Sequence, residues 1–431
     1  MNKFIKLSEK YNVDIFFLSI FFMFLPISGV TAIQNVSFLF FALFIILNFK
    51  IISFINLKKV KKFIFIFLSF LIVCIISIFF SIDYKETFSE IRGEVIKPFL
   101  VLSFVFVYIY LSSEKKILYL IITLVFSLFI HSLINLYFWY DGGLWPFRAG
   151  GLLDNGGGER FGIWATYSIS ISIALFFTKY KKIAIILFLV AVFSIVANNT
   201  RATFVGCLLI LVSYLIFIYR NKMHKIFGLI SVFFILITFI FYSKDLNHRF
   251  NVYNMISKTQ YFSDYSPSEF NKITKDHGLG SSIIARLAMW KSAVLYRINE
   301  PLFPLGYGRF LFNEQINDVW KLKKENIPYS KYNQAHSDFV SILFSLGVIG
   351  LFIFILFLIY LLRITYYIYL NSEKYSYLGV FVFLGTIGYI GSMMFGSFFG
   401  DSEQLYFYAL YGMALALYVK TKEEIDEIKT N

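Results

Sequence analysis

Residues 339–362 read FVSILFSLGVIGLFIFILFLIYLL, an apolar run with no charged residue between Phe339 and Leu362. A bilayer-spanning helix needs about 20 predominantly apolar residues, so this stretch alone is long enough to cross a membrane. It is not isolated. Further apolar stretches of adequate length begin near Val13, Val36, Lys62, Phe99, Ile117, Phe161, Ile183, Thr203, Ile226, Tyr377 and Leu405, which with Phe339 makes twelve. The chain of 431 residues is 58% apolar and 15% charged, against about 45–50% and about 25% in soluble domains. Twelve spans would occupy roughly 240 positions, close to that apolar share. The composition argues against a soluble enzyme and predicts an all-α polytopic integral membrane protein with about twelve transmembrane helices.

The formal net charge of +14 raises the question of nucleic acid, but cytoplasmic connectors of membrane proteins carry excess Lys and Arg for topological reasons. With the amino terminus inside, the short inner segments hold 21 of the 40 Lys and Arg residues. The short outer segments hold six: Lys85, Arg92, Lys97, Arg148, Arg160 and Arg201. This asymmetry sets both termini in the cytoplasm and leaves no need for a nucleic-acid partner. Cys74 and Cys207 lie far apart in apolar runs, without disulfide or metal-ligand spacing. The first apolar run lacks a small-residue cleavage signature and reads as a retained span.

The chain divides into spans one to nine with short loops (1–242), a large outer loop (243–336), spans ten to twelve (337–419) and a mixed-charge cytoplasmic tail (420–431). Within the loop, Ser281 and Ser282 can cap a helix whose apolar positions, among them Ile283, Ile284, Leu287 and Val294, recur near helical period until Pro301 stops it. An amphipathic helix is therefore expected there.

Three constellations can carry chemistry. Arg201, in Asn198-Asn199-Thr200-Arg201-Ala202-Thr203, occupies a very short turn between apolar helices at the outer interface. It can anchor a helix end, or bind a lipid phosphate bidentately, which Lys does not do with the same geometry. Arg286 lies in Ala285-Arg286-Leu287-Ala288-Met289-Trp290, and the helix is followed by Pro301-Leu302-Phe303-Pro304-Leu305-Gly306-Tyr307-Gly308-Arg309-Phe310. Gly306 and Gly308 permit a tight turn and a close backbone approach to a ligand. His336 stands in Ala335-His336-Ser337-Asp338, where the loop re-enters the membrane ahead of Gly347-Val348-Ile349-Gly350. An imidazole there can serve as a general base, because its ordinary pKa lies near neutrality. His131, His224, His248 and His277 have no such context. No Ser/His/Asp order, zinc-protease helix or phosphate-binding loop is present, and carboxylates are scarce in the spans, Asp14 being the nearest to one. Proton-coupled transport ordinarily uses intramembrane carboxylates, so an integral-membrane enzyme working at its outer face ranks ahead of a transporter.

Together these constellations resemble the O-antigen ligase and polymerase superfamily of membrane glycosyltransferases. The resemblance runs from Arg148 to Phe352. It consists of Thr200-Arg201 after a middle span, Ala285-Arg286-x-x-x-Trp290, Pro304-Leu305-Gly306-x-Gly308-x-Phe310, and His336 opening a span that continues Leu346-Gly347-x-x-Gly350-Leu351. It departs in Ser337, where members commonly carry Asn, and in a Gly-rich stretch at 156–158.

The resemblance implies transfer of a glycan from undecaprenyl diphosphate to a sugar hydroxyl at the periplasmic face of the bacterial inner membrane, without nucleotide sugar, metal or other cofactor. It would make Arg201 and Arg286 the diphosphate-binding arginines and His336 the catalytic histidine. Arg148, Arg309, Gly306 and Gly308 become secondary candidates for substrate contacts, and Arg92 and Asp401 further outer-face candidates. Two acceptors fit: the lipid A-core oligosaccharide, as for a ligase in lipopolysaccharide biosynthesis, or the next lipid-linked repeat unit, as for a polymerase. A related enzyme transfers glycans to protein hydroxyls. The ligase is favoured by the length, the twelve spans and the single dominant loop. Expected partners are the lipid-linked glycan, lipid A-core, membrane lipids, and a chain-length regulator or other O-antigen assembly proteins. An exporter of lipid-linked glycan is the alternative from another class; for it, His336→Ala would block translocation and leave periplasmic transfer intact.

Overall fold

The computed structural model describes residues 13–47, 57–144, 147–153, 157–219, 282–322, 334–398 and 400–430. Among the described residues every regular element is a helix. They are α1 (Val13–Phe24), α2 (Thr31–Leu47), α3 (Lys61–Ser77), α4 (Tyr84–Ile91), a π-helical turn (Arg92–Ile96), α5 (Lys97–Leu111), α6 (Glu114–Asp141) and α7 (Gly157–Leu175). There follow α8 (Lys181–Asn198), α9 (Arg201–Ser213), α10 (Ser282–Asn299), α11 (Phe312–Leu322), α12 (Asp338–Asn371), α13 (Ser376–Met393) and α14 (Ser402–Thr430).

Among the described residues, seven helical stretches are long and apolar enough to cross a bilayer: Lys58–Phe80, Tyr84–Leu111, Glu114–Asp141, Lys181–Asn198, Arg201–Ile218, Asp338–Asn371 and Ser376–Met393. They contain the apolar runs read from Lys62, Phe99, Ile117, Ile183, Thr203, Phe339 and Tyr377. The runs at Val13 and Val36 form the shorter apolar helices α1 and α2. Those at Phe161 and Leu405 lie in α7 and α14. The run near Ile226, residues 243–281 and 323–333 of the outer loop, and His224, His248, His277 and Ser281 lie outside the described residues.

Burial separates core helices from lipid-facing ones. The apolar window of α13 is 78% buried, whereas that of Lys58–Phe80 is 28% buried and presents Phe65 and Phe79 outward. α13 packs against α7, α9 and α12, and α14 packs against α5 and α12. Lipid tails are as apolar as the side chains, so helix association in a membrane relies on close packing at small residues. Accordingly Gly391 of α13 lies against the Gly206 backbone of α9, where a Cβ at Gly391 would come within 2.9 Å of the Gly206 Cα.

Two segments read by their charge are helical. The segment carrying Lys85, Arg92 and Lys97, read as an outer connector, is helical: Asp83 caps α4 by accepting from the Lys85 and Glu86 amides, and the π-helical turn carries the chain into α5, with Pro98 in its first turn. Pro98 brings no amide hydrogen to the helix, and the π-helical turn just before it is where the ordinary helical bonding pattern is interrupted. The mixed-charge tail continues α14 as far as Thr430, because no Gly or Pro interrupts it. Lys420 donates to the Ser112 carbonyl, Tyr110 to Glu423, and Lys59 pairs with Asp426 at 2.9 Å. His131 is buried and hydrogen-bonds the Met23 carbonyl at 2.9 Å, and Asp14 pairs with Lys116 at 2.6 Å. Both have local structural work.

A break in α12 shapes how the segment after α10 packs. Gly347 sits at φ +72°, ψ −172°, inside an otherwise continuous helix. Within the bilayer such a break is tolerated only where protein covers the freed backbone groups, and the residues between α10 and α11 supply that cover. Leu305 N–H donates to the Ser345 carbonyl at 2.8 Å, and Val348 N–H donates to the Pro301 carbonyl at 3.0 Å. Arg297, only 3% exposed, donates from Nε to the Phe344 carbonyl at 3.1 Å and from Nη1 to the carbonyls of Glu300 and Phe303. Burial pulls its guanidinium down to about 10, with Tyr296 and Glu300 opposing the fall, so it stays cationic at neutral pH. Gly347→Ala would hold a Cβ in left-handed backbone and bring it within 2.6 Å of the Pro301 carbonyl oxygen. The expected cost is about 1–3 kcal/mol from the backbone alone, seen as a lowered thermal unfolding midpoint of purified protein in detergent. An unchanged midpoint would show that the break is not built on this glycine.

Candidate functional site

The site grows from the start of α12. Ser337 caps the helix by accepting from Val340 N–H at 3.4 Å. Asp338 is fully buried and faces the connector between α13 and α14: its carboxylate oxygens accept from Phe398 N–H at 3.1 and 3.2 Å, and its own N–H donates to the Gly396 carbonyl at 3.2 Å. His336 is half-buried and adopts φ +51°. A non-glycine residue in left-handed backbone is uncommon, and it persists where its surroundings over-determine it.

α10 supplies the second side. Arg286 and Trp290 are four residues apart and therefore share a helix face. Trp290 Nε1 donates to the Ala335 carbonyl at 2.7 Å, and Arg286 Nη1 donates to the Phe395 carbonyl at 2.8 Å, with the Trp290 and Phe395 rings 6.3 Å apart. The Ala-Arg-x-x-x-Trp spacing thus grips the backbone at two places: one residue before His336, and on the connector that clasps Asp338.

Arg309 fixes the same connector farther along. Its Nη1 and Nη2 engage Asp401 at 3.1 and 3.0 Å, Nη1 also donates to the Ser397 carbonyl at 3.2 Å, and Nε lies 3.3 Å from Glu94 Oε1. Burial alone would pull this guanidinium down, but the bidentate bonds with Asp401 and the charge of Glu94 outweigh it and raise Arg309 above the ordinary value. Gly306 and Gly308, at φ +110° and +147°, admit protein: a Cβ at Gly306 would come within 2.6 Å of Ser81 Oγ, and one at Gly308 within 2.9 Å of Glu90 Cγ. The turn is further tied by Tyr307 N–H to Ser77 Oγ at 2.9 Å and by Gln315 to the Gly306 carbonyl at 2.8 Å.

A chain of contacts leads from Asp401 to Arg201. Arg160 lies 3.9 Å from Asp401 and donates to Glu403 at 3.2–3.3 Å and to Ser402 Oγ at 3.1 Å, while Trp164 Nε1 donates to Glu403 at 3.1 Å. Two residues before Arg160, the Gly158 carbonyl accepts from Thr200 Oγ1 at 3.0 Å and from Asn198 Nδ2. Thr200 Oγ1 also accepts from Arg148 Nη2 at 2.9 Å. α8 ends on Asn199 in left-handed backbone at φ +51°, Thr200 is extended, and α9 opens on Arg201. The half-buried Arg201 is therefore held at the mouth of two helices rather than on a free turn.

Arg201, Arg148, Arg286, Arg309, Asp401 and His336 thus gather at one end of the bundle through the 395–403 connector and the amino-terminal end of α7. Arg92 is exposed on its π-helical turn, and its neighbour Glu94 is the residue that reaches Arg309. Arg160, Glu403, Glu94, Asp338 and Arg297 were not singled out from the sequence. Arg160 carried a signal as one of six outer cations, and Asp338 stands beside His336; Glu94 carried none. Among the described residues no group of three or more His, Cys, Asp or Glu side chains is disposed to hold a metal ion.

Fold and site define a polytopic membrane protein, helical throughout its described residues, whose buried ion pairs brace the end that carries the candidate arginines and His336. Residues 185–355 match the family model described as O-antigen ligase, a span from α8 into α12 that holds Arg201, Arg286, Arg309 and His336. The match supports the O-antigen ligase superfamily for this chain, and with it a membrane enzyme of the O-antigen ligase or polymerase type. No curated protein matches the chain.

Proposed function

We propose that the protein transfers an O-antigen glycan from undecaprenyl diphosphate to a sugar hydroxyl of the lipid A-core oligosaccharide, at the periplasmic face of the inner membrane. The twelve-span layout with both termini cytoplasmic belongs to the same reading. Arg201 and Arg286 would hold the diphosphate, stabilising the negative charge that grows on its oxygens as the anomeric C–O bond breaks, in the manner of an oxyanion hole. His336 would orient the acceptor hydroxyl and take its proton as the new glycosidic C–O bond forms, leaving undecaprenyl diphosphate as product. The observation that carries the reading is that Arg286 and the segment bearing His336, both inside the region that matches the O-antigen ligase family, are tied to one connector, 395–398.

The test is a deletion strain of the host bacterium examined by lipopolysaccharide gel. Lipid A-core without O-chain, accompanied by accumulated lipid-linked polymer, is the expected result. Core bearing a single repeat unit would instead mark a polymerase of the same superfamily. A normal ladder would sink both.

A further inference from the structure

At the other end of the bundle lies a cleft of about 480 Å³ lined, among the described residues, by six cations, Lys58, Lys59, Lys61, Lys62, Arg363 and Lys422, and by no carboxylate. Three separate helices bring them together: the first turn of α3 and the residues leading into it, the far half of α12, and α14 beyond its core. Each of these helices also reaches the candidate site. α3 ends at Ser77, which holds the Tyr307 amide, α12 begins beside His336, and α14 begins beside Asp401. At 1.5 Å per residue, the 25 positions from Asp338 to Arg363 and the 20 from Ser402 to Lys422 put the cleft roughly 30–37 Å from the site.

A topological bias toward Lys and Arg explains cations in inner segments, but it does not require those of three helices to line one cavity. The cleft is also built for recognition. Tyr360, Tyr367 and Tyr418 line it, adding phenolic donors, and Lys422 is held over the Tyr418 ring at 4.6 Å and the Tyr367 ring at 5.9 Å. Asp426 fixes Lys59 from the tail. The volume falls in the range of small-ligand sites, about 300–1,000 Å³. A basic pocket between transmembrane helices on the side carrying the excess Lys and Arg suits an anionic headgroup, where the leaflet itself is negative.

We propose that this cleft binds a phosphate-bearing anion. Its chemistry fits the headgroup of an anionic phospholipid or a soluble diphosphate, and the experiment separates the two. Purified full-length protein in neutral detergent is titrated with phosphatidylglycerol, phosphatidylcholine and inorganic pyrophosphate, with bound species counted by native mass spectrometry. Three proteins are compared: wild type, K61Q/K62Q/R363Q, and a charge-matched control, K179Q/K181Q/K182Q, altered outside the cleft. Thermal midpoints confirm that each is folded.

Preferential phosphatidylglycerol binding, weakened about tenfold or more in the cleft variant and unchanged in the control, supports the site and identifies a lipid source. The same pattern for pyrophosphate alone supports the site with a soluble source. Equal binding by all three proteins, or an equal loss in the control, overturns the proposal.

Discussion

His336→Gly should slow glycan transfer by about 10²–10⁴-fold, the usual contribution of a positioned general acid or base, while leaving the unfolding midpoint at or above that of the wild type. The two halves of this expectation have different origins. The loss of rate comes from removing the imidazole that would accept the acceptor hydroxyl's proton. The preserved stability comes from the backbone: His336 sits at φ +51°, a conformation that disfavours side chains bearing a Cβ by roughly 1–2 kcal/mol and that glycine adopts freely. The segment is also held from both sides, by Trp290 on the Ala335 carbonyl and by the clasp of Asp338 on Gly396 and Phe398. A merely structural histidine would behave oppositely, with transfer retained in proportion to folded protein and a lowered midpoint. Transfer is measured with purified protein, lipid-linked glycan and lipid A-core acceptor; near-wild-type turnover would remove His336 from the chemistry.

What could be read from the chain and what could not divides along physical lines. Apolar runs are local, and so the stretches at Lys62, Ile117, Thr203 and Phe339 reappear as helices of crossing length. α10 spans Ser282–Asn299 and stops just before Pro301, at a boundary written in local residue chemistry. The segment from Tyr84 to Ile96 misled because its charges read as connector, although Asp83 caps a helix there and the π-helical turn turns Glu94 inward. The break at Gly347 was visible only as a glycine: its meaning depends on Pro301, Leu305 and Arg297 arriving from another element. Likewise, Arg160 and Glu403 are 243 residues apart, and no local pattern announces their pairing. Cations were conspicuous because topology disfavours them at the outer face, whereas the acids that brace them were not.

Arg309→Gln should destabilise the protein more than any other single change at this end of the bundle, by about 3–5 kcal/mol, the usual cost of removing one partner from a buried ion pair. Arg309 side-chain exposure is 8% and that of Glu94 is 3%, so the charges left behind are poorly placed to recover solvation. Gln cannot replace the two parallel donors that hold Asp401 at 3.0 and 3.1 Å. Arg309→Lys should restore little, because an ammonium offers a point charge where a planar fork is needed. Asp401 is 24% exposed, and water would take part of the load in Asp401→Asn, making that change milder. If the pair acts as a unit, Arg309→Gln/Asp401→Asn loses less than the sum of the single changes, since the second removes a charge that the first stranded. Transfer should fall together with stability. The Ser397–Asp401 stretch is continuous with the Phe395 and Gly396 carbonyls that receive Arg286 and Asp338, so Arg309 acts as a positioning residue through the connector. Thermal unfolding in detergent of the three variants and the double mutant provides the measurement. Strict additivity, or a midpoint for Arg309→Gln equal to that of the wild type, would mean that the Glu94–Arg309–Asp401 pairing does not hold the connector in place.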